Sequence, residues 1–488
     1  MASVTTIIDI GSNSMRMVVF KKSSRFAFHL INETKSRVKI SEGSYNNGGV
    51  LQQIPMDRAF NALKSFLSIA KSLKSRKILC VATSALRDAP NKKEFLNRVK
   101  NELGLNIRVI DGPKESFYGG TAALNLLHLD NFVTLDIGGG STELCIVENK
   151  NIQHAISLNV GTVRLRELFF SKDDYRGAKQ YIFKQLKEYE ELNMTNPIIV
   201  GMGGTARALS RVILKKIEYP LDVLHGFSYK YDDHKKLFKE IVKAEEPSDL
   251  KKFGIKKDRF DTIQEGTFIF KTIAEYLKSK TIFTSGAGVR EGVYLTDLLR
   301  TSNNKFPANF NVSIRSLLDR FELCENQTAF FAQNTRDIFN ALKPLHNLDD
   351  KYRGLLVIAS KLHSIGVTLN FYQYSDHAFT FILNGLNFAI SHEDRVLIAH
   401  IIKFSKKSIP SEEDLEEFKE LLPDLNTVQW LSFMITLNLR LNVDFNNKPF
   451  EYELDGSRLK IKTDEHVYLT YAACEKLVSP VNMEIEIL

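Results

Sequence analysis

Two aspartates, Asp9 and Asp136, occupy the same place in a phrase that the chain uses twice. Ile8-Asp9-Ile10-Gly11-Ser12-Asn13-Ser14 returns as Leu135-Asp136-Ile137-Gly138-Gly139-Gly140-Ser141. In each copy an apolar strand ends in a turn of glycine and hydroxyl residues, and a second apolar strand leaves it, Met17–Phe20 in the first and Leu144–Val147 in the second. Such a turn can present consecutive backbone N–H groups to an anion; hydroxyls add donors, and the leading Asp can orient Mg²⁺ or its waters. One copy alone could equally be a plain hairpin closure. Two near-identical copies, the second extended by Thr142-Glu143, predict a duplicated fold with a cleft between its halves that grips a phosphate chain from both sides.

Two more glycine-rich phrases, Val200-Gly-Met-Gly203-Gly204-Thr205-Ala-Arg207 and Phe283-Thr-Ser-Gly-Ala-Gly-Val-Arg-Glu-Gly292, stand where a strand ends and a helix begins. The first N–H groups of such a helix can meet an anion. Glu115 follows a strand and a Gly-Pro turn at the expected start of a helix. A Glu there is ordinarily a partner for the helix dipole, but beside two phosphate hairpins it can serve as the base that hydrolysis requires. Arg87, in Ala82-Thr-Ser-Ala-Leu-Arg-Asp-Ala-Pro-Asn91, offers phosphate oxygens a planar, multi-donor fork.

These residues need a frame. Apolar runs at Ile7–Ile10, Ile78–Ala82, Ile107–Ile110, Val133–Ile137 and Ile198–Gly201 alternate with longer helical stretches such as Met56–Leu73 and Lys92–Leu103, an α/β pattern. With 488 residues, 43% of them hydrophobic, the chain is expected to form three or four domains. Charge divides it: residues 301–488 hold 19 Lys+Arg and 25 Asp+Glu, net −6, leaving 47 and 33, net +14, in residues 1–300. A basic half carrying phosphate-type loops predicts a polyanionic substrate, which a positive cleft would concentrate. Nucleic acid is not expected, because the chain has no zinc-finger spacing, aromatic RNA-binding signature or basic helix. The longest apolar runs fall short of a membrane span and Asp9 interrupts the N-terminal one, so the expectation is a cytoplasmic protein without anchor or signal peptide. Cys80, Cys145, Cys324 and Cys474 are scattered and read as reduced.

The succession IDIGSNSMRMVVF, ATSALRDAPN, IDGPKES, LDIGGGSTELCIVE, GMGGTARAL, DRFD and SGAGVREGVYL resembles, in order through residues 1–300, the exopolyphosphatase/guanosine pentaphosphate phosphohydrolase (Ppx/GppA) family. The resemblance implies a duplicated actin/Hsp70/sugar-kinase-like (RNase H-like) core, with domains at 1–125 and 126–303 and a final helix packing back on the first. It implies an Mg²⁺-assisted phosphohydrolase acting on inorganic polyphosphate or guanosine pentaphosphate, and a homodimer, as in long members. By the same resemblance Glu115 is the catalytic base, and Arg87 is a phosphate clamp. Asp136 and Glu143, with Asp9, are metal-associated acids. Gly11, Ser12, Asn13, Ser14, Gly138, Gly139, Gly140, Ser141, Gly203, Gly204 and Thr205 form the phosphate cradle. Lys114 stands where many relatives carry a second acid and is expected to add positive charge beside the substrate. A kinase or chaperone of the same superfamily, and a non-catalytic alarmone or polyphosphate sensor, are the competing readings.

Beyond residue 300, Ser313 to about Lys407 reads as consecutive amphipathic helices, similar to the HD-like domain of long family members and assigned to 304–410. That domain binds metal through a His-Asp pair. Here His363 is followed by Ser364, and Gln333 stands where the resemblance expects a first ligand His, so a domain lacking its metal ligands is expected, with His363 a packed helix residue and Asp376-His377 a surface turn or cap. Residues 411–488 read as a small α+β domain: a capping box at Ser411–Asp414, a helix near Val428–Leu441, and strands at Phe450–Leu454, Leu459–Ile461 and Val481–Ile487.

Overall fold

The computed structural model describes residues 3–44, 47–406, 409–463 and 468–488, which separate into two compact units, Met1–Phe310 and Asn311–Leu488. Lys407, the expected end of the helical run, lies outside the described residues. No described helix is long and apolar enough to cross a membrane.

The first unit is built on two sheets. The first contains β1 (Val4–Ile10), β2 (Met15–Lys22), β3 (Phe28–Ser36), β4 (Lys77–Ala82) and β5 (Ile107–Val109) in the order β3-β2-β1-β4-β5. The second contains β6 (Phe132–Ile137), β7 (Thr142–Glu148), β8 (Asn151–Leu158), β9 (Ile199–Met202), β10 (Ser228–Lys230) and β11 (Thr281–Thr284) in the order β8-β7-β6-β9-β11-β10. In both, the first three strands are antiparallel and the next joins the first in parallel. The repeated phrase is therefore a repeated strand–turn–strand corner, and the register is the same: Asp9 lies opposite Arg16 on β2, and Asp136 opposite Glu143 on β7. The duplicated position carries a cation in one half and an acid in the other.

These strands read as nearly unbroken apolar runs because both faces of each sheet are covered. Ile7, Ile8 and Ile10 of β1 and Leu144 and Cys145 of β7 have no exposed surface. The helix Gly112–Leu126 packs on β7 and β8, and its small residues let it lie flush: a Cβ on Gly120 would stand 2.2 Å from the Cys145 sulfur. Asp111 caps this helix by accepting from the Lys114 amide at 2.7 Å, which puts Glu115 in its first turn. The last helix of the unit, Val289–Leu298, packs against Gly112–Leu126 and β1, with Tyr294 against Phe20 and Phe28. The helix expected from Met56 begins earlier, at Gln53, because Pro55 falls in the first turn, where a missing N–H costs nothing.

The second unit is a bundle of helices, among them Glu325–Ala341, Lys351–Leu362, Tyr374–Gly385, His392–Lys403 and Leu425–Leu441, joined by a sheet of β12 (Glu451–Asp455), β13 (Arg458–Lys462) and β14 (Glu484–Ile487). One continuous core runs from Phe339 and Trp430 in the helices to Leu459 and Ile461 in the sheet. The capping box forms, with Ser411 and Asp414 exchanging side-chain and backbone hydrogen bonds. Asp376-His377 is not a surface turn or cap but part of the first turn of Tyr374–Gly385, where an acid favours the helix dipole. His363 is buried, donates from Nδ1 to the Ser360 carbonyl (2.7 Å) and packs edge-on to Phe331; burial pushes its imidazole down to about 4. Gln333 holds Asp337 on the surface, 3.0 Å from Oδ1.

Candidate active site

The two glycine turns face each other across one cleft. Each closes in the same way, the Gly11 amide donating to the Ser14 carbonyl (3.2 Å) and the Gly138 amide to that of Ser141 (2.9 Å). They approach so closely that a Cβ on Gly139 would stand 2.8 Å from that of Ser12, whose hydroxyl is bonded to Ser84 at 3.0 Å. Amides of Thr162, Val163 and Arg164 hold the carbonyls of Gly138 and Gly139, and Arg164 Nε donates to the carbonyl of Gly140 (2.8 Å). The carbonyl side of the second turn is thus committed to the following helix.

Ten of the eleven expected cradle residues line this cleft: Gly11, Ser12, Asn13, Ser14, Gly138, Gly139, Ser141, Gly203, Gly204 and Thr205. Gly140 stands behind the wall. Gly203 begins the helix Gly203–Lys216 with φ +71°, a left-handed conformation that glycine adopts without strain, and a Cβ there would lie 2.3 Å from Asp136 Oδ1. The chain bends here so that the helix start sits against the Asp136 carboxyl.

Four carboxyl groups meet at the cleft, Glu115 and Glu143 buried and Asp9 and Asp136 half-buried. Burial drives each upward, and they repel one another. Asp9 is pushed up to about 6 and Glu143 to about 7, while Asp136 is raised and Glu115 stands well above the usual carboxylate range, with Glu143 adding to burial. Glu143 also accepts from Ser157 Oγ at 2.9 Å. Arg87 donates from Nη1 to Glu115 Oε2 (3.1 Å) and from Nη2 to Ser141 Oγ (3.4 Å), so its guanidinium ties the base candidate to the second turn. Lys114 does not line the cleft; its ammonium lies over the Phe117 ring, 4.4 Å from the centroid.

The cleft also gathers four arginines that the sequence alone did not assign: Arg16, Arg207, Arg259 and Arg290. All four lie inside the quoted phrases, and the signal was an arginine just beyond each glycine turn or in DRFD. Arg259 rests on Gly204, where a Cβ would collide with its Nη1. Arg207 is held by the carbonyls of Gly203 (2.7 Å) and Gly286 (3.1 Å). Burial, together with Arg16 and Arg290, lowers Arg207 to about 10. Glu33 bridges Arg290 (2.7 Å) and Arg16 (3.6 Å), and despite its burial these cations hold its carboxyl low. Carboxyls interleaved with crowded guanidinium groups make a cleft suited to a divalent cation and a phosphate chain together.

The sequence matches the Ppx/GppA phosphatase family over residues 18–301 and domain III of Ppx/GppA phosphatases over residues 311–476. The chain belongs to the Ppx/GppA phosphatase family. It is 24% identical over 417 residues to the guanosine-5'-triphosphate,3'-diphosphate pyrophosphatase of Photobacterium profundum, covering 83% of this chain and 80% of that one. It is 31% identical over 298 residues to the bifunctional 3-dehydroquinate synthase/phosphatase of Fusobacterium nucleatum; that match covers 57% of this chain and 44% of the relative, less than half its length. The crystal structure of the Aquifex aeolicus Ppx/GppA family member superposes with a TM-score of 0.53 at 28% identity, covering 62% of this chain and 99% of that one. The duplicated α/β core is accordingly the actin-like one of this family. Membership supports the reaction class expected from the sequence, a hydrolase acting on phosphoanhydride bonds, over the kinase, chaperone and sensor readings.

Proposed function

We propose that the chain removes the terminal phosphate of a linear phosphoanhydride, guanosine pentaphosphate or inorganic polyphosphate, by in-line attack of water in this cleft. The observation that carries the reading is the convergence of two opposed glycine turns, four carboxyls and four arginines on one space. A second basic chamber sharing Arg16, Arg207 and Arg259 opens beside it, lined also by Arg211, Lys256, Leu224 and Ile255. It supports a substrate longer than one phosphoanhydride unit.

The residues fit a divalent cation, Mg²⁺ in our reading. Asp9 Oδ1 is buried without a hydrogen-bond partner among the described residues, and the half-buried Asp136 and buried Glu143 line the same space. No group of three His, Cys, Asp or Glu among the described residues closes into a ready ligand cage, as suits a hard cation that takes few carboxylates and keeps substrate oxygens and water. When bound, the cation neutralises charge on phosphate oxygens. The chain does the rest. Amides of Ser12–Ser14 and Gly139–Ser141, which the turn closures leave unused, hold the terminal phosphate, and the N-terminus of Gly203–Lys216 receives the next anionic group. Arg16, Arg207, Arg259 and Arg290 balance the remaining phosphates. Glu115, oriented by Arg87, takes the proton of the attacking water; its raised affinity for protons brings it toward the working pH, where a general base is most effective.

The test is phosphate release from polyphosphate and from guanosine pentaphosphate at equal enzyme and Mg²⁺. Turnover of at least one, abolished by chelator, is expected. Turnover of neither, or full activity in excess chelator, would reject the reading.

A further inference from the structure

The second unit contains a cavity of about 150 Å³ far in sequence from every residue of the phosphate cleft. Its wall comes from the helix Leu425–Leu441, from Lys406 and Ile409, and from the stretch Ala472–Val478. Three cations reach it, Lys406, Arg440 and Lys476, although the surrounding residues 301–488 carry a net charge of −6. A local concentration of positive charge on an acidic half requires its own explanation.

None of the three forms an ion pair with a carboxylate among the described residues. Lys406 Nζ donates to the Tyr372 carbonyl (2.7 Å) and stands 4.3 Å from the Tyr374 ring centroid, while Arg440 Nη2 donates to the Lys406 carbonyl (3.2 Å). Carbonyls and an aromatic face orient these side chains without cancelling their charge. Inside, Ser432 is 1% exposed, and its hydroxyl has no hydrogen-bond partner among the described residues. A buried polar group left unmatched is costly and asks for a partner. The remaining wall is apolar, formed by Phe433, Leu477 and Val478. Cations, a buried hydroxyl and an apolar wall in so small a space select a ligand with an anionic head and a compact apolar body.

We propose that this cavity binds one small amphipathic anion, a phosphate, sulfonate or carboxylate carried on an aromatic or aliphatic body, at a site separate from the phosphohydrolase cleft. The head is met by Arg440 and Lys476, with Lys406 at the rim, and the body lies along Phe433 and Leu477. Inorganic phosphate supplies only the head, and a neutral aromatic only the body.

The probe is naphthalene-1-sulfonate, titrated calorimetrically into the full chain, with inorganic phosphate and 1-naphthol as single-feature controls. The expected result is saturable binding at one site, weakened at least tenfold by Lys476→Glu, with each control binding at least tenfold more weakly than the sulfonate. Lys476 is exposed, so its substitution leaves the core intact. Ala473→Leu, which fills the cavity from its edge, should also abolish binding while phosphate release is unchanged. No saturable binding, or binding indifferent to both Lys476→Glu and Ala473→Leu, would overturn the proposal. Binding that survives these changes and is displaced by pyrophosphate would place the probe in the basic cleft and equally overturn it.

Discussion

Arg87 and Glu115 are best understood as a coupled pair. Burial and Glu143 raise the affinity of Glu115 for its proton, and Arg87, 3.1 Å away, opposes them. Removing the guanidinium must therefore raise the carboxyl further, and a base that must be ionised becomes available only at higher pH. Arg87→Met is expected to move the acidic limb of the kcat–pH profile upward, with Arg87→Lys between it and the parent. An unmoved limb would separate Arg87 from the base. Asp136→Asn and Glu143→Gln each remove an acid from the cation side of the cleft; the Mg²⁺ concentration giving half-maximal activity should rise at least tenfold while thermal melting changes little. Much of the cleft's lining was legible beforehand, because hairpin glycines, a leading Asp and a first-turn Glu each carry a local signal. Arg16, Arg207, Arg259 and Arg290 were not assigned, since an arginine next to a glycine turn looks like any solvated cation until the fold brings four of them to one cleft.

The elements hold the acids in place by close approach rather than by bulk. Gly120 lets Gly112–Leu126 lie on β7, and Gly120→Ala would drive its methyl into Cys145. Overpacking of this kind costs about 1–3 kcal/mol, and it also displaces the helix whose first turn carries Glu115. The variant should thus lose both melting temperature and kcat, and Cys145→Ala in the same chain should restore part of each. In the second unit His363 stays neutral until pH falls to about 4, whereas the unfolded chain takes up that proton near the ordinary value of 6.5. The native state binds fewer protons in this window, so its stability is intact above pH 6.5 and is lost as pH falls toward 4. At about 1.36 kcal/mol per unit, the loss between pH 7 and 5 is about 2 kcal/mol. Trp430, the single tryptophan, is buried in the same core and reports it in urea titrations. His363→Leu should remove this share while leaving phosphate release unchanged, and the share of His400, which burial also pushes down to about 4, should remain; an equally steep slope in the variant would assign the acid sensitivity elsewhere. Strand order was implicit in the repeated phrase, but the continuous core joining Trp430 to Leu459 and Ile461 was not, because apolar alternation shows that a strand has a buried face without showing what covers it.

Across the whole molecule, charge is divided as the chemistry would require, +14 over residues 1–300 and −6 over residues 301–488. If the basic half holds several phosphates, each contact releases counterions, so affinity should fall with salt as it does for nucleic-acid backbones. The dependence should be steeper for long polyphosphate than for guanosine pentaphosphate, measured by binding to the Glu115→Gln chain between low and physiological salt. Equal slopes would confine recognition to the terminal phosphates and favour the nucleotide. The central claim is that Glu115 activates water in a cleft that binds phosphate chains by other means. Its most direct test is single-turnover phosphate release by the parent and by Glu115→Gln, with substrate binding measured on both. The account predicts a rate lower by about a hundred- to ten-thousand-fold at an affinity within a few-fold of the parent, and a variant that kept more than a tenth of the parent rate would contradict it.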